Sequence, residues 1–227
     1  LKCLWLECSA TDPLAADVCG LPPPRPPPRA GALLDPQRGR LVEMGVLSVP
    51  INEEIMACGT WQEVLTHVGR RGEVMDEINI VTSLHRAAKL YREEDAGATP
   101  IEHVRAAAGL RALLELTRHF VGRCRPQQLS NAIWACAVLL IQEPPILQKL
   151  CDFAVQRLGG YTTQNVANTI WAVATLSFRH EPLLEKIPLY VEANVRDFTP
   201  QDLANTCWAY ARLQWPCDAV FRLVARE

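Results

Sequence analysis

The sequence has little excess charge of either sign. Its 23 Lys and Arg residues nearly balance 25 Asp and Glu residues, which leaves a formal net charge of −2 on 227 residues. A protein that binds nucleic acid through its overall charge is strongly basic, so a nucleic-acid role here must depend on local patches. The sequence also has no apolar run near the ~20 residues that span a bilayer. We therefore expect no membrane partner.

Motifs for metal binding and catalysis are missing too. The nine Cys residues form no C-x-x-C pair and no Cys/His spacing typical of zinc, so we predict buried thiols, no metal site and no cofactor. His85 and Arg86 are the most suggestive catalytic pair, but no paired carboxylate, nucleophile motif or glycine-rich phosphate loop accompanies them. We favour a packed His85 at a helix contact and expect the chain not to be an enzyme. Strand pairs with turn signals are also absent, which predicts an all-α class.

Composition divides the chain into three regions. Residues 1–50 contain the tract LPPPRPPPRAG and predict a disordered or proline-rich linker. Residues 51–125 carry apolar side chains at helical spacing and predict a degenerate helical-repeat region. Residues 126–227 contain clear helical repeats. The chain begins at Leu1 and ends within a helical pattern at Glu227, so we expect a piece of a longer protein whose targeting peptide is not visible.

Three similar phrases make up the last region. They read QQLSNAIWACAVL at 127–139, QNVANTIWAVATL at 164–176 and QDLANTCWAYARL at 201–213, and each follows the one before by 37 residues. Self-similarity at a period of 20 to 50 residues is typical of a solenoid. We therefore predict an α-solenoid of helix-turn-helix repeats with period 37. The predicted repeats cover about 126–162, 163–199 and 200–227, the last one truncated.

An earlier unit echoes the same phrase. The segment IVTSLHRAAKL at 80–90 has Thr82 at the Asn position and His85 at the Trp position. Its spacing to the next copy is 49 residues, so an insertion of 12 separates the two. We interpret this segment as the first helix of a degenerate repeat, with LRALLELTRHF at 110–120 as its second helix.

The first helix of each repeat has a narrow polar face beside two apolar stripes. Its side chains are small and uncharged, which suits the concave lining of a solenoid that receives a ligand with hydrogen-bonding edges. Helical repeats can read one base each through a few side chains, and positions that vary between repeats are the better candidates. The predicted RNA-binding residues are Gln128, Asn131, Ala132, Asn165, Asn168, Thr169, Thr175, Asp202, Asn205, Thr206 and Arg212.

Several of these positions also have a structural interpretation. The repeated Asn131, Asn168 and Asn205 either contact bases or form a ladder between repeats, and we favour the ladder because a residue that reads different bases should vary. The position three residues before each Asn also fits helix capping. The repeated Trp either stacks on bases or fills the core, and the adjacent alanines favour the core. Arginines near helix ends, such as Arg157 and Arg212, either contact phosphates or are solvated.

The 37-residue unit, with its ANTIWAVATL-like first helix, resembles the heptatricopeptide and octotricopeptide repeat proteins of organelles. The resemblance covers residues 51–227, and NIVTSLHRAAK at 79–89 is similar to the lead-in of algal and dinoflagellate relatives. Those relatives are described as chloroplast translation-factor-like or as related to the RNA-editing substrate-binding complex of mitochondria. Many members end in a RAP domain, which is not visible in this sequence.

The resemblance implies a function as well as a fold. It implies binding of single-stranded organellar RNA in a chloroplast or mitochondrion, and control of the processing, stability or translation of transcripts. Other RNA-processing proteins are expected as further partners. The alternative is a protein–protein interaction scaffold that holds an extended peptide in the same groove. The near-neutral charge favours this alternative somewhat.

Overall fold

The computed structural model describes residues 42–94 and 99–224. Every regular element within these residues is helical, which confirms the predicted all-α class. The proline tract and the rest of residues 1–41 lie outside the described residues. The α-helices are α1 (Val42–Ala57), α2 (Trp61–Arg71), α3 (Glu77–Glu93), α4 (Ile101–Ala106), α5 (Ala108–Phe120), α6 (Pro126–Val138), α7 (Pro144–Gln156), α8 (Thr163–Thr175), α9 (Glu181–Asn194), α10 (Pro200–Arg212) and α11 (Asp218–Val224).

Helix α1 begins inside the stretch that the sequence assigned to a linker. It starts at Val42 and continues through Pro50, whereas the prediction had order begin after that proline. An interior proline removes one helical hydrogen bond, which is why it is usually taken as a boundary. Packing overrides it here: Ser48 and Ile51 are buried, and the Asn79 Nδ2 of α3 donates to the Ser48 carbonyl at 2.8 Å. The linker prediction is therefore wrong for residues 42–50.

The helices form two layers. In the first layer, α3, α6, α8 and α10 pack side by side in chain order. In the second layer, α5, α7, α9 and α11 do the same, and each contacts its own first-layer partner. Helices α1 and α2 pack on α3, so they cover the N-terminal end of the first layer. The expected degenerate unit corresponds to α3 and α5 in this arrangement.

Helix starts advance by 37 residues in both layers over the C-terminal half. The starts are Pro126, Thr163 and Pro200 in the first layer and Pro144, Glu181 and Asp218 in the second. Threonine N-caps fix two of them, as the sequence predicts: the Thr162 Oγ1 accepts from the Asn165 N–H at 3.2 Å, and the Thr199 Oγ1 accepts from the Asp202 N–H at 3.2 Å. Local capping chemistry therefore sets the register of these repeats.

The first-layer helices α6, α8 and α10 also end alike. A residue with left-handed backbone follows each of these three, at Leu140, Ser177 and Gln214 (φ 49°, 52° and 51°). Glycine usually takes this position, because a side chain there has to accept a strained backbone. The next N–H bonds back to a helix carbonyl, at 2.8 Å from Ile141 to Cys136 in the first case. This is the Schellman pattern, and it holds the turn toward the second layer without glycine.

A close helix contact supports the N-terminal end of the layers. Gly109 of α5 lies against α2, and a Cβ added to it would stand 2.6 Å from the Leu65 carbonyl oxygen. The contact is with backbone atoms, which cannot move away by a rotamer change as a side chain can. Glycine is therefore required at this position by packing rather than by its own backbone angles.

Candidate ligand-binding face of the first helix layer

The predicted RNA-binding residues lie in one band across α6, α8 and α10, but the band is buried. All of them except Arg212 are less than a tenth exposed, and Ala132, Thr169 and Thr206 are at 0%. These side chains are therefore packed between helices and are not exposed, and their contact with RNA stays a prediction. Their small size is the physical reason for this packing, since it lets neighbouring first-layer helices approach closely. The Ser130 Oγ of α6 illustrates this by donating to the Asn165 carbonyl of α8 at 3.1 Å.

Three of the predicted RNA-binding residues are capping residues. The side chains of Gln128, Asn165 and Asp202 each accept a hydrogen bond from the backbone N–H three residues earlier, at 2.6, 3.2 and 3.4 Å. In the later two repeats Thr162 and Thr199 return the bond and complete a capping box. Their oxygens are thus used in starting a helix, as the capping interpretation predicts.

The three repeated asparagines are buried, and two of them, Asn131 and Asn205, keep a polar atom without a hydrogen-bond partner. Asn131 is 6% exposed, Asn168 0% and Asn205 3%. The Asn131 Oδ1, the Asn205 Nδ2 and the Thr175 Oγ1 are buried without a hydrogen-bond partner. Buried polar atoms in proteins are almost always paired with protein, water or ligand groups. This band therefore has unused hydrogen-bonding capacity in all three repeats, and both the ladder and the base contact stay predictions.

The repeated Trp residues are buried, as the core interpretation predicts. Trp134 is 0% exposed, Trp171 8% and Trp208 7%. Arg212 packs on the last of them, with its Cζ 5.6 Å from the ring centroid of Trp208. The Arg212 Nε also donates to the Ala174 carbonyl at 3.2 Å and so ties α10 to α8. Its guanidinium is partly exposed and stays the one predicted contact at the surface of the band.

The partly exposed positions of the repeat lie elsewhere. Gln127, Gln164 and Gln201 occupy the first turn of α6, α8 and α10, and each is intermediate in exposure. The repeat pattern contains these glutamines, but the predicted candidates came from the polar face and from positions that vary. The signal that could have found them is their recurrence at the same place in the first helical turn of each repeat.

A cluster of nitrogen groups surrounds Trp134 at the N-terminal end of the band. The ring centroid of His85 lies 5.1 Å from that of Trp134, and the Arg92 Cζ lies 5.0 Å from it. The His85 Nε2, the Arg92 Nη1 and the Trp134 Nε1 are each buried without a hydrogen-bond partner. The ring contact confirms the predicted packing of His85, whereas Arg92 was not among the predicted residues.

Burial and charge both act on the imidazole of this cluster. Desolvation, followed by the positive charges of Lys89, Arg92 and Arg86 in that order, lowers the pKa of His85 to about 4. Desolvation also lowers the pKa of Arg92, against the opposing effect of Glu93. His85 is therefore neutral at pH 7 and sits in a positive, dry environment.

Arg157 illustrates the structural use of an arginine near a helix end. Its guanidinium donates to the Gly122 carbonyl at 2.6 Å and to the Cys124 carbonyl. Its Cζ also lies 5.2 Å from the Phe153 ring centroid. This side chain thus fastens the second-layer helix α7 to the turn before α6, a role that neither sequence interpretation included.

The described part of the chain offers neither a membrane span nor a metal site. None of its helices combines the length and apolarity needed to cross a bilayer. No group of three or more His, Cys, Asp or Glu side chains in residues 42–94 and 99–224 is arranged to hold a metal ion. No protein-family model matches this sequence, and a search of curated proteins finds no significant relative.

Proposed function

We propose that this chain is an α-solenoid with a period of 37 residues that binds single-stranded RNA in a chloroplast or mitochondrion. It would act in the processing, stability or translation of transcripts, with other RNA-processing proteins as partners and without catalysis of its own. The resemblance to heptatricopeptide and octotricopeptide repeat proteins suggests this function. The helix starts at intervals of 37 residues support the repeat architecture on which it rests.

The observation that carries the proposal is the band of polar atoms without partners. Asn131, Thr175 and Asn205 each keep one such atom, on three successive first-layer helices. Nucleobases offer both donors and acceptors along their edges, so they can satisfy oxygens and nitrogens alike. The partly exposed glutamines lie in the first turn of α6, α8 and α10, the same three helices. We propose them as the first contacts of the RNA.

A direct binding assay tests this function. The full chain is titrated into a labelled, randomised single-stranded RNA pool at low and moderate salt, and fluorescence anisotropy is followed. We expect binding that weakens with salt, because phosphate contacts release counterions. Gln164→Ala should weaken binding roughly two- to tenfold, the range expected for one hydrogen bond. The matched control is Gln62→Ala on α2, which removes an exposed glutamine outside the first layer.

Absence of RNA binding at low salt would contradict the proposal. The second candidate is a scaffold for an extended peptide, which the formal net charge of −2 favours because RNA gains little from a neutral surface. Polar atoms of the band could equally pair with a peptide backbone. Co-purification of one protein from nuclease-treated organelle extract, lost in Gln164→Ala and kept in Gln62→Ala, would support the scaffold.

A further inference from the structure

We propose that Arg92, His85 and Trp134 form a binding site for an oxyanion of the phosphate class. The inference rests on the proposed function in one respect: the phosphate group would belong to the backbone of bound RNA. Inorganic phosphate carries the same chemistry and tests the site by itself. The site lies where α3 meets α6, at the N-terminal end of the band of repeated asparagines.

The polar atoms of the site point to an acceptor as the ligand. An indole N–H only donates, a guanidinium has five N–H donors and no acceptor, and a neutral imidazole has one N–H. In this cluster the Trp134 Nε1 and the Arg92 Nη1 are donors without a hydrogen-bond partner, and the His85 Nε2, which donates in one of the two neutral tautomers, has none either. Buried donors without partners destabilise a protein, and one ligand with several oxygens can satisfy them together.

The charges around the site point to an anion rather than a neutral acceptor. Two of the three neighbouring cations are already engaged: the Lys89 Nζ lies 3.6 Å from a carboxylate oxygen of Glu93, and the Arg86 Nη2 donates to the Cys58 carbonyl at 2.7 Å. Arg92 instead lies over the Trp134 ring with one nitrogen unpaired. A guanidinium in a partly dry site binds phosphate strongly, since little water competes with it.

Access to the site is through Arg92 and His85. Both side chains are intermediate in exposure, whereas Trp134 is fully buried. The oxyanion would therefore meet the guanidinium first and leave the indole N–H as the deepest donor. Because Arg92 packs on the ring face, binding also changes the surroundings of Trp134, which gives a spectroscopic signal for the site.

Nuclear magnetic resonance of the full chain provides the test. Inorganic phosphate, and separately a short single-stranded RNA, is titrated at constant ionic strength with chloride. The signals are the Trp134 indole N–H, assigned with Trp134→Phe, and the His85 ring. We expect saturable shifts of both signals and a rise in the pKa of His85 from about 4, because a bound anion stabilises the imidazolium.

Variants separate this site from general charge. Arg92→Gln should weaken phosphate binding about tenfold, the effect of losing a hydrogen bond to a charged group. Arg70→Gln is the matched control, since it removes the same charge from an exposed position on α2. Trp134→Phe removes the N–H donor, keeps a smaller aromatic ring at this buried position and leaves the guanidinium charge in place, so it should weaken binding less than Arg92→Gln does.

The outcomes distinguish the site from the RNA function. Shifts with phosphate but no RNA binding would support the site and overturn the RNA function. Shifts with RNA alone, lost in Arg92→Gln, would support the site with a phosphodiester as its ligand. RNA binding that leaves the His85 and Trp134 signals unchanged and is unaffected by Arg92→Gln would overturn the site and keep the function. No shift with either ligand would also overturn the site.

Discussion

The buried imidazole of His85 should make the stability of this protein depend on pH. Its pKa is about 4 in the folded chain, against an ordinary value near 6.5. The unfolded chain therefore binds more protons between these two values, so the free energy of unfolding falls as the pH drops through that window. Over the whole window the loss is about 3 kcal/mol, at 1.36 kcal/mol per unit. Between pH 7 and pH 5 it is about 2 kcal/mol.

His85→Phe isolates this contribution. The phenyl ring keeps an aromatic contact with Trp134 and removes the titrating group. Urea unfolding, followed by circular dichroism at pH 7, 6 and 5, gives the free energy of unfolding of both proteins. As the pH falls from 7 to 5, the free energy of unfolding of the variant should rise by about 2 kcal/mol relative to that of the unchanged chain. Titrations of the other histidines cancel in this difference. A difference that stays constant within about 0.5 kcal/mol, well below that value, would refute the desolvation argument.

Three further predictions concern packing, capping and thiol reactivity. Gly109→Ala should destabilise the fold by about 1–3 kcal/mol, because its Cβ meets backbone, whereas Gly69→Ala, with open space around it in α2, should stabilise by up to about 1 kcal/mol. Thr199→Ala should lower the free energy of unfolding by about 1 kcal/mol in the same urea assay, because α10 loses its N-cap. Burial raises the pKa of Cys136 to about 12, so iodoacetamide at pH 8 should label it only after unfolding, and the partly exposed Cys58 should be labelled before it. Mass spectrometry of peptides reports the order of these two.

Local sequence rules predicted the features that depend on local chemistry. Thr162 and Thr199 begin their helices because each is followed three residues later by a side chain that completes a capping box. The recurrence of Asn and Trp every 37 residues likewise indicates the register of the first-layer helices, because each copy carries the same packing positions. Helix α1 continues through Pro50, although a proline usually marks a helix boundary, because its contacts with α3 come from residues distant in sequence.

The candidate site was harder to predict because the exposure of its side chains depends on how closely neighbouring helices pack. Asn168 and Thr169 belong to the polar face that predicts a concave lining, although a ladder is the favoured role for the asparagine, and both are at 0% exposure. Their small volume lets α8 lie close to its neighbours, and periodicity within one helix cannot reveal that distance. The contact of Arg92 with Trp134 joins helices from different repeats, one of them degenerate. The only sequence feature that points to this contact between α3 and α6 is the alignment of His85 with the Trp position.

The distribution of burial also bears on how RNA would be read. Positions that vary between repeats, such as Ala132, Thr169 and Thr206, are fully buried, whereas the partly exposed glutamines are identical in all three repeats. A side chain that is the same in every repeat cannot distinguish different bases by itself. We therefore expect binding with little sequence preference, so that selection from a random RNA pool enriches no clear motif. Enrichment of a strong motif that changes with Thr169→Asn would mean instead that the buried positions that vary between repeats also contact bases.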